Sequence, residues 1–548
     1  MAQWKEEVES NLWRLYQRGL DFQVSTGLRE SLPKFVDFYE GKQWPDATDS
    51  TKNLPRPVVN IVKMICRNKK SAILSTPVKI LYKSFSENTN VERLNDFAIS
   101  IQRDIDQEFL DKLAVEDGVK KGSYFYHYYW DSERIGPRGT LEGGLACEII
   151  DPLNIFFENP AILDEQKQEW ILIASRMDIN KIKALCDKDL PLDSLNTDTS
   201  EGNYSIAEQE SDGKATLLTR YFRIDGEVYC ERAIKERVIS KPFKIAPDLS
   251  LFDGLLNGDS GKTGVGVSKK ATLYPIVCGF YERKEGSIYG LSEVESLIPN
   301  QKAINFNIAM SLLNAQQCAW GKFVALPNAL KGQKIQNTPG QVLIDYSGTG
   351  EGIKRMREEQ LSDASMKIVE TLTSLTRSFS GATEVMIGEA YSANMSGAAI
   401  AQLQSQALLP IEDLKATFWH VKKKQGLVLL QFLMLYYLDR EFIKQIRSEN
   451  GEVTEVWDKF SSRDYRDSFF DVVVEPTGGV HSSIASDITL LDTCLKNGKI
   501  SVETYVKAYP DSAITSKEEI LKHIRLENES ELSRLRKELE ELKKAKQS

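Results

Sequence analysis

Histidine is scarce in this chain: His127, His420, His481 and His523 are the only four in 548 residues. The seven cysteines (Cys66, Cys147, Cys186, Cys230, Cys278, Cys318 and Cys494) form no CxxC pair and have no histidine at metal-ligand spacing. That excludes a local zinc motif, and an odd, scattered set of thiols predicts a reducing compartment. Long apolar runs are missing too. The strongest, Leu427 to Leu438, has 12 residues, short of the roughly 20 that span a bilayer. The opening ten residues lack the apolar core of a signal peptide. A soluble protein made in the cytoplasm is expected. There is no excess of positive charge, with 70 Lys+Arg against 79 Asp+Glu and a net charge of −9. Gripping nucleic acid over a whole surface needs Lys and Arg to displace counterions, so that class is excluded, whereas DNA merely passing by is not.

Catalytic signatures are absent as well. No pair of carboxylates falls in an acid–base motif, and no nucleophile elbow surrounds any serine. Gly258-Asp259-Ser260-Gly261-Lys262-Thr263 resembles a phosphate-binding loop, but position 256, where the first glycine belongs, is Leu256. A flexible Gly/Ser loop is the expectation there, with a nucleotide-hydrolysing enzyme as the alternative. His127 sits in the aromatic run Tyr124 to Trp130, a strand pattern in which a packed histidine is expected rather than a catalytic one.

Hydrophobic residues make up 41 % and charged residues 27 %, ordinary for a globular chain of two to four domains. Trp4 to Leu20, Val58 to Leu74 and Asn90 to Lys121 read as helices, and the chain turns extended after Thr76-Pro77. Strands are expected at Leu145–Ile150, Trp170–Ser175, Leu217–Ile224 and Glu227–Cys230, with exposed loops at 196–213 and 254–270. Helices and short strands without strict alternation predict an α+β fold. Further on, Ser292 and Glu295 have capping-box spacing. Leu291, Val294 and Ile298 begin an apolar stripe that Gln301 and Asn305 interrupt, and Pro299 is expected to kink or restart the helix. A second helix, from about Glu358 to Ser380, places Leu361, Ala364, Ile368, Leu372, Leu375 and Phe379 on one face, with Gly381 as its stop. Strand-like Phe323–Leu326 and Gln341–Asp345 lie between the two helices. A protruding helix pair of this kind buries little within one chain, which predicts packing against copies of itself. A very long helix follows from Ser396 to Leu438 with a kink at Pro410. Lys422-Lys423-Lys424 within it reads as a solvated turn. Phe469 to Val474 is a late strand, and the C-terminus from Ser516 is a charged helix with Leu532, Leu535, Leu539 and Leu542 at 3, 4, 3 spacing.

Three segments carry a resemblance. They are Phe38-Tyr39-Glu40-Gly41-Lys42-Gln43-Trp44 followed by Arg56-Pro57-Val58-Val59-Asn60-Ile61-Val62; Tyr289-Gly290-Leu291-Ser292-Glu293-Val294-Glu295 followed by Gln301-Lys302-Ala303-Ile304-Asn305; and Ser396-Gly397-Ala398-Ala399-Ile400. In this order the chain resembles the portal proteins of tailed bacteriophages, the head-to-tail connectors. The resemblance implies a portal-like α+β fold with an α/β wing, a two-helix stem, a small β-containing clip and a helical crown. It divides the chain into wing (1–285), stem helix (286–316), clip (317–357), second stem helix (358–381), tunnel loop (382–395), long kinked helix and return to the wing (396–480), and crown (481–548). The implied function is a homo-oligomeric ring, expected to be a dodecamer, at the unique vertex of the virion capsid and assembled in the host cytoplasm. The ring is a channel for packaging and ejecting double-stranded DNA. It is also a platform for the terminase large subunit, the head–tail adaptor, and the major capsid and scaffolding proteins. No enzyme activity, cofactor, metal or membrane is implied.

By the same resemblance Thr383, Glu384, Val385, Met386 and Ile387 would face the channel. Glu358, Glu359 and Asp363 would line the stem, and Lys331, Lys334, Lys354 and Arg355 would dock terminase or adaptor. Another virion component, such as a head-completion or baseplate protein, is the remaining alternative.

Overall fold

The computed structural model describes residues 2–49, 51–52, 54–85, 90–136, 139–186, 213–235, 237–246, 270–319, 323–326, 329–334, 342, 344–346, 348, 351–355, 364–381, 397–447, 453–465, 468–476, 491–509, 520–521 and 523–524. They fall into two compact units, one of Met1–Ile73 with Gln102–Tyr436 and one of Leu74–Ile101 with Tyr437–Ser548.

The first unit begins with α1 (Ala2–Ser25) and α2 (Leu28–Glu40), joined through Gly27, and continues with α3 (Ile61–Ile73). The expected single helix over 90–121 is two. In the second unit β1 (Val78–Ser84) precedes α4 (Val91–Asp104), and after a break the chain continues as α5 (Gln107–Lys121) of the first unit. The break is at Asp106, whose φ of 53° is left-handed, a conformation that aspartate accepts more readily than most residues.

Two antiparallel sheets form the body. The first has the order β3-β2-β9, with β2 (Ser123–Asp131) in the centre between β3 (Gly144–Ile150) and β9 (Ile276–Phe280). The second is a meander of β4 (Ile155–Phe157), β5 (Trp170–Asp178), β6 (Lys214–Ile224), β7 (Glu227–Ala233) and β8 (Val238–Lys244), with the short helix α6 (Ile179–Leu185) leaving β5. Phe125, Ile150, Ile171, Ile173, Tyr221, Cys230 and Ile276 fill the core shared by the two sheets. On the meander's other face Leu12 and Tyr16 of α1 pack on Phe156, Leu172, Leu218 and Ala233. Burial on both faces explains why β5 reads as a continuous apolar run rather than an alternation. His127 is packed as expected. Its Nδ1 is 2.8 Å from Glu148 Oε1, and its Nε2 is 2.8 Å from the Tyr221 hydroxyl of the other sheet.

From the body rises α7 (Glu293–Ala319), which runs through Pro299 without interruption because Leu297, Gln301 and Ile304 on either side are buried. An insert follows, in which β10 (Phe323–Ala325) pairs with β11 (Ile353–Arg355). The expected strand at 341–345 is not formed at its described positions. The Gln333 side chain takes both the N–H (3.2 Å) and the C=O (3.4 Å) of Ile344 instead, so those groups are not free for a ladder. The chain returns as α8 (Ala364–Phe379) and continues as α9 (Gly397–Tyr436), helical through Pro410. The lysine triplet on α9 is not a solvated turn. Lys422 is buried in an ion pair with Asp111, and Lys424 pairs with Glu165 at 2.8 Å.

In the second unit β1 pairs antiparallel with the late strand β14 (Phe470–Pro476), so Ile80 lies opposite Val474. The hairpin β12 (Arg440–Arg447) and β13 (Val453–Phe460) packs on α4, with Phe97 stacked on Phe460 at 4.1 Å. A short helix, α10 (Val502–Ala508), is capped by Ser501. The leucine pattern at 532–542 lies outside the described residues.

Candidate functional site

Four buried or half-buried amides converge where α7 leaves the body. Gln301 is 2 % exposed. Its Oε1 accepts from the backbone N–H of Ile61 (3.0 Å) and Val62 (3.3 Å), and its Nε2 donates to Val59 O (2.7 Å) and Asn305 Oδ1 (3.0 Å). Asn305 Oδ1 also accepts from Val59 N at 3.3 Å, while its Nδ2 donates to Gln43 Oε1 at 2.6 Å. Gln43 closes the set by donating to Phe38 O at 2.8 Å. Asn60 accepts from Lys63 N at 2.9 Å, capping α3, and donates to Tyr39 O at 2.9 Å. The orphan N–H groups at the start of α3 are thus bonded by side chains of α7, about 240 positions away. The interruption of the apolar stripe by Gln301 and Asn305 was the signal in the sequence. Their partners could not be read from it.

The root of α7 is equally fixed. Gly122, left-handed at φ 86°, and Gly290 cross backbone to backbone. A Cβ on Gly290 would stand 2.5 Å from Gly122 O and 2.6 Å from Glu282 O, so only glycine fits. Gly290 N donates to Ser123 Oγ at 2.7 Å, Ser292 Oγ donates to Lys120 O at 2.6 Å, and Val294 N donates to Ser292 Oγ at 3.0 Å. Glu293 accepts from the Tyr281 hydroxyl at 2.8 Å, and burial pushes its carboxyl above the ordinary value. Gly290→Ala is expected to cost about 3 kcal/mol, because neither backbone oxygen can yield. A thermal melt within a degree of the wild type would refute the crossing.

Beyond this root α7 and α8 lie side by side, with Asn300 Nδ2 donating to Thr376 Oγ1 at 3.1 Å. Their outer faces are apolar and exposed: Phe306 and Met310 on α7, and Ile368, Leu375 and Phe379 on α8, the last 83 % exposed. A solvated helix face would carry polar residues there. Val324, Leu326, Ile344 and Tyr346 of the insert are exposed too.

The docking candidates lie on that insert. Lys331, at φ 36°, holds its Nζ 4.9 Å from the centre of the Tyr346 ring. Lys334 is exposed, Lys354 on β11 pairs with Glu351 at 2.7 Å, and Arg355 stands opposite Phe323 in the ladder. Thr383, Glu384, Val385, Met386 and Ile387 lie outside the described residues, as do Glu358, Glu359 and Asp363 and the loop 258–263. No helix among the described residues is long and apolar enough to cross a membrane.

Residues 263–466 match the family model described as Phage P22-like portal protein. That segment is similar to phage portal proteins. No curated protein matches the chain. The portal match takes in α7, the insert, α8, α9 and the β12–β13 hairpin, and it supports a phage portal role. Gln43, Val59, Asn60 and Ile61 precede the matched segment, yet all but Asn60 are bonded directly to Gln301 or Asn305 inside it. The matched segment is therefore bonded into the amino-terminal part of the chain rather than appended to it.

Proposed function

We propose that the chain is the portal protein of a tailed phage. On this reading about twelve copies close into a ring at one capsid vertex, and double-stranded DNA is packaged and ejected through its bore. The match over 263–466 carries the reading. The exposed apolar faces of α7 and α8 support self-association, because a closed ring covers on each copy what one chain leaves bare. The parts would be those the resemblance implies: α7 and α8 the stem, the β10–β11 insert the clip, and the two-sheet body with the amino-terminal helices the wing. Thr383 to Ile387 would belong to a tunnel loop, and Glu358, Glu359 and Asp363 to the stem lining. Residues 481–548 would form the crown.

In this role the protein is a conduit and a platform. Terminase would supply the work while docked on the clip, near Lys331, Lys334, Lys354 and Arg355, and the head–tail adaptor would later use the same end. Capsid and scaffolding proteins would hold the wing during assembly in the host cytoplasm. A net charge of −9 suits a bore in which DNA must slide, since each cation placed against a phosphate would add affinity and hence friction. Light scattering of the purified chain is expected to give a particle of about twelve chains, and averaged electron micrographs a ring with a central hole. A monomer under all conditions would sink the proposal. With Ile368→Lys and Phe379→Lys together the ring is expected to be lost while the monomer stays folded.

A further inference from the structure

The inward stripe of α9 runs Ile411, Lys415, Phe418, Lys422, Gln425, Leu429 and Phe432, spaced 4, 3, 4, 3, 4, 3, and every member is buried. Its two ends are seated by different chemistry. From Val428 onward the contact is apolar and well bonded. Gln431 accepts from the backbone N–H of Thr272 (2.9 Å) and Leu273 (2.8 Å) and donates to Leu273 O (3.0 Å), and Tyr436 stacks on Trp130 at 4.6 Å.

Up to residue 425 the buried side chains are mixed, with Ile411, Phe418 and Val421 interspersed with two lysines and an amide. Among the described residues Lys415 pairs with its own helix's Glu412, at 3.3 Å, Lys422 meets Asp111, and Lys424 beside the stripe meets Glu165. Gln425 is 1 % exposed, and neither its Nε2 nor its Oε1 has a hydrogen-bond partner among the described residues. A buried amide without partners and buried charges that must shed water both weaken a seat relative to an apolar one of the same shape. Between the two stretches sits Gly426, within the described interior of the helix, where glycine weakens helical structure.

We propose that α9 is hinged at Gly426. The stretch 411–425 lifts from the body while 428–436 stays docked, which makes the amino-terminal part of the long helix a two-position element. On lifting, the lysines, their carboxylates and Gln425 all regain water, so the open position loses less than it would from an apolar seat.

Hydrogen–deuterium exchange of the full chain tests this. Amides of 411–425 are expected to exchange at least about tenfold faster than those of 428–436 and of β2, although both halves of the helix are buried. Gln425→Leu is expected to slow 411–425 about tenfold and leave 428–436 unchanged, and Gly426→Ala to slow it several-fold. One common rate for both halves, or a slowing shared by the whole unit, would overturn the hinge. If either variant fails to fold, the comparison of the two halves in the wild-type chain still decides.

Discussion

Gln301→Leu is expected to lower stability by about 3 kcal/mol or more and to abolish assembly into the proposed ring. Leucine fills the volume but bonds nothing. Val62 N loses its side-chain acceptor, Ile61 N keeps its bond to Val59 O at 2.8 Å, and the Asn305 carboxamide loses a donor. Each buried group left unpaired costs roughly 1–3 kcal/mol. The loss also reaches further than local stability, because these bonds fix where α7 leaves the body and hence how the helix pair would be presented to the next copy in the proposed ring. Thermal unfolding and light scattering on the same sample check both parts. An unchanged melt with intact rings would mean that apolar packing alone holds the root of α7. Asn305→Ala, which removes contacts to Val59 N and Gln43, is expected to show the same direction with a smaller amplitude.

Lys422→Met alone is expected to destabilise by about 3–5 kcal/mol, because it leaves Asp111 charged and buried without its cation. Asp111 keeps a hydrogen bond from the Tyr126 hydroxyl at 2.8 Å and one from Gln107 Nε2 at 3.0 Å, and neither neutralises it. Adding Asp111→Asn to Lys422→Met is expected to recover most of the loss. The amide removes the unpaired charge and still offers an oxygen to Tyr126. Urea unfolding of the two single variants and the double variant measures the coupling. Losses that simply add would show that the pair does not act as a unit. Recovery to wild-type stability or above would fit an ion pair that fixes the placement of α9 more than it stabilises the fold.

Much of the architecture is legible without coordinates because periodicity is a local property. The stripe that begins at Leu291, Val294 and Ile298, the 3-and-4 spacing of Ile368, Leu372, Leu375 and Phe379, and the aromatic alternation around His127 each follow from helix or strand geometry within one segment. Asp106 and Gln333 mark where that reasoning stops. One residue turned left-handed divides a helix that periodicity joins, and one side chain takes the backbone groups that a strand would need.

The sequence by itself determined that the chain is α+β, that it has paired long helices with too much apolar surface for one copy, and that its motifs resemble those of portal proteins. Tertiary structure alone decided what those motifs do. Gln43, Asn60, Gln301 and Asn305 look like polar interruptions in apolar stretches until the fold brings 43, 60 and 301 together, and only then are they the fastening of α7. Lys422 and Lys424 look like solvent-facing charge until Asp111 and Glu165 arrive from elements more than 250 residues away. The physical reason is the same in both cases. Which face of a helix is apolar depends on neighbours within a turn or two, whereas a buried hydrogen bond or ion pair depends on a partner whose distance along the chain leaves no periodic trace.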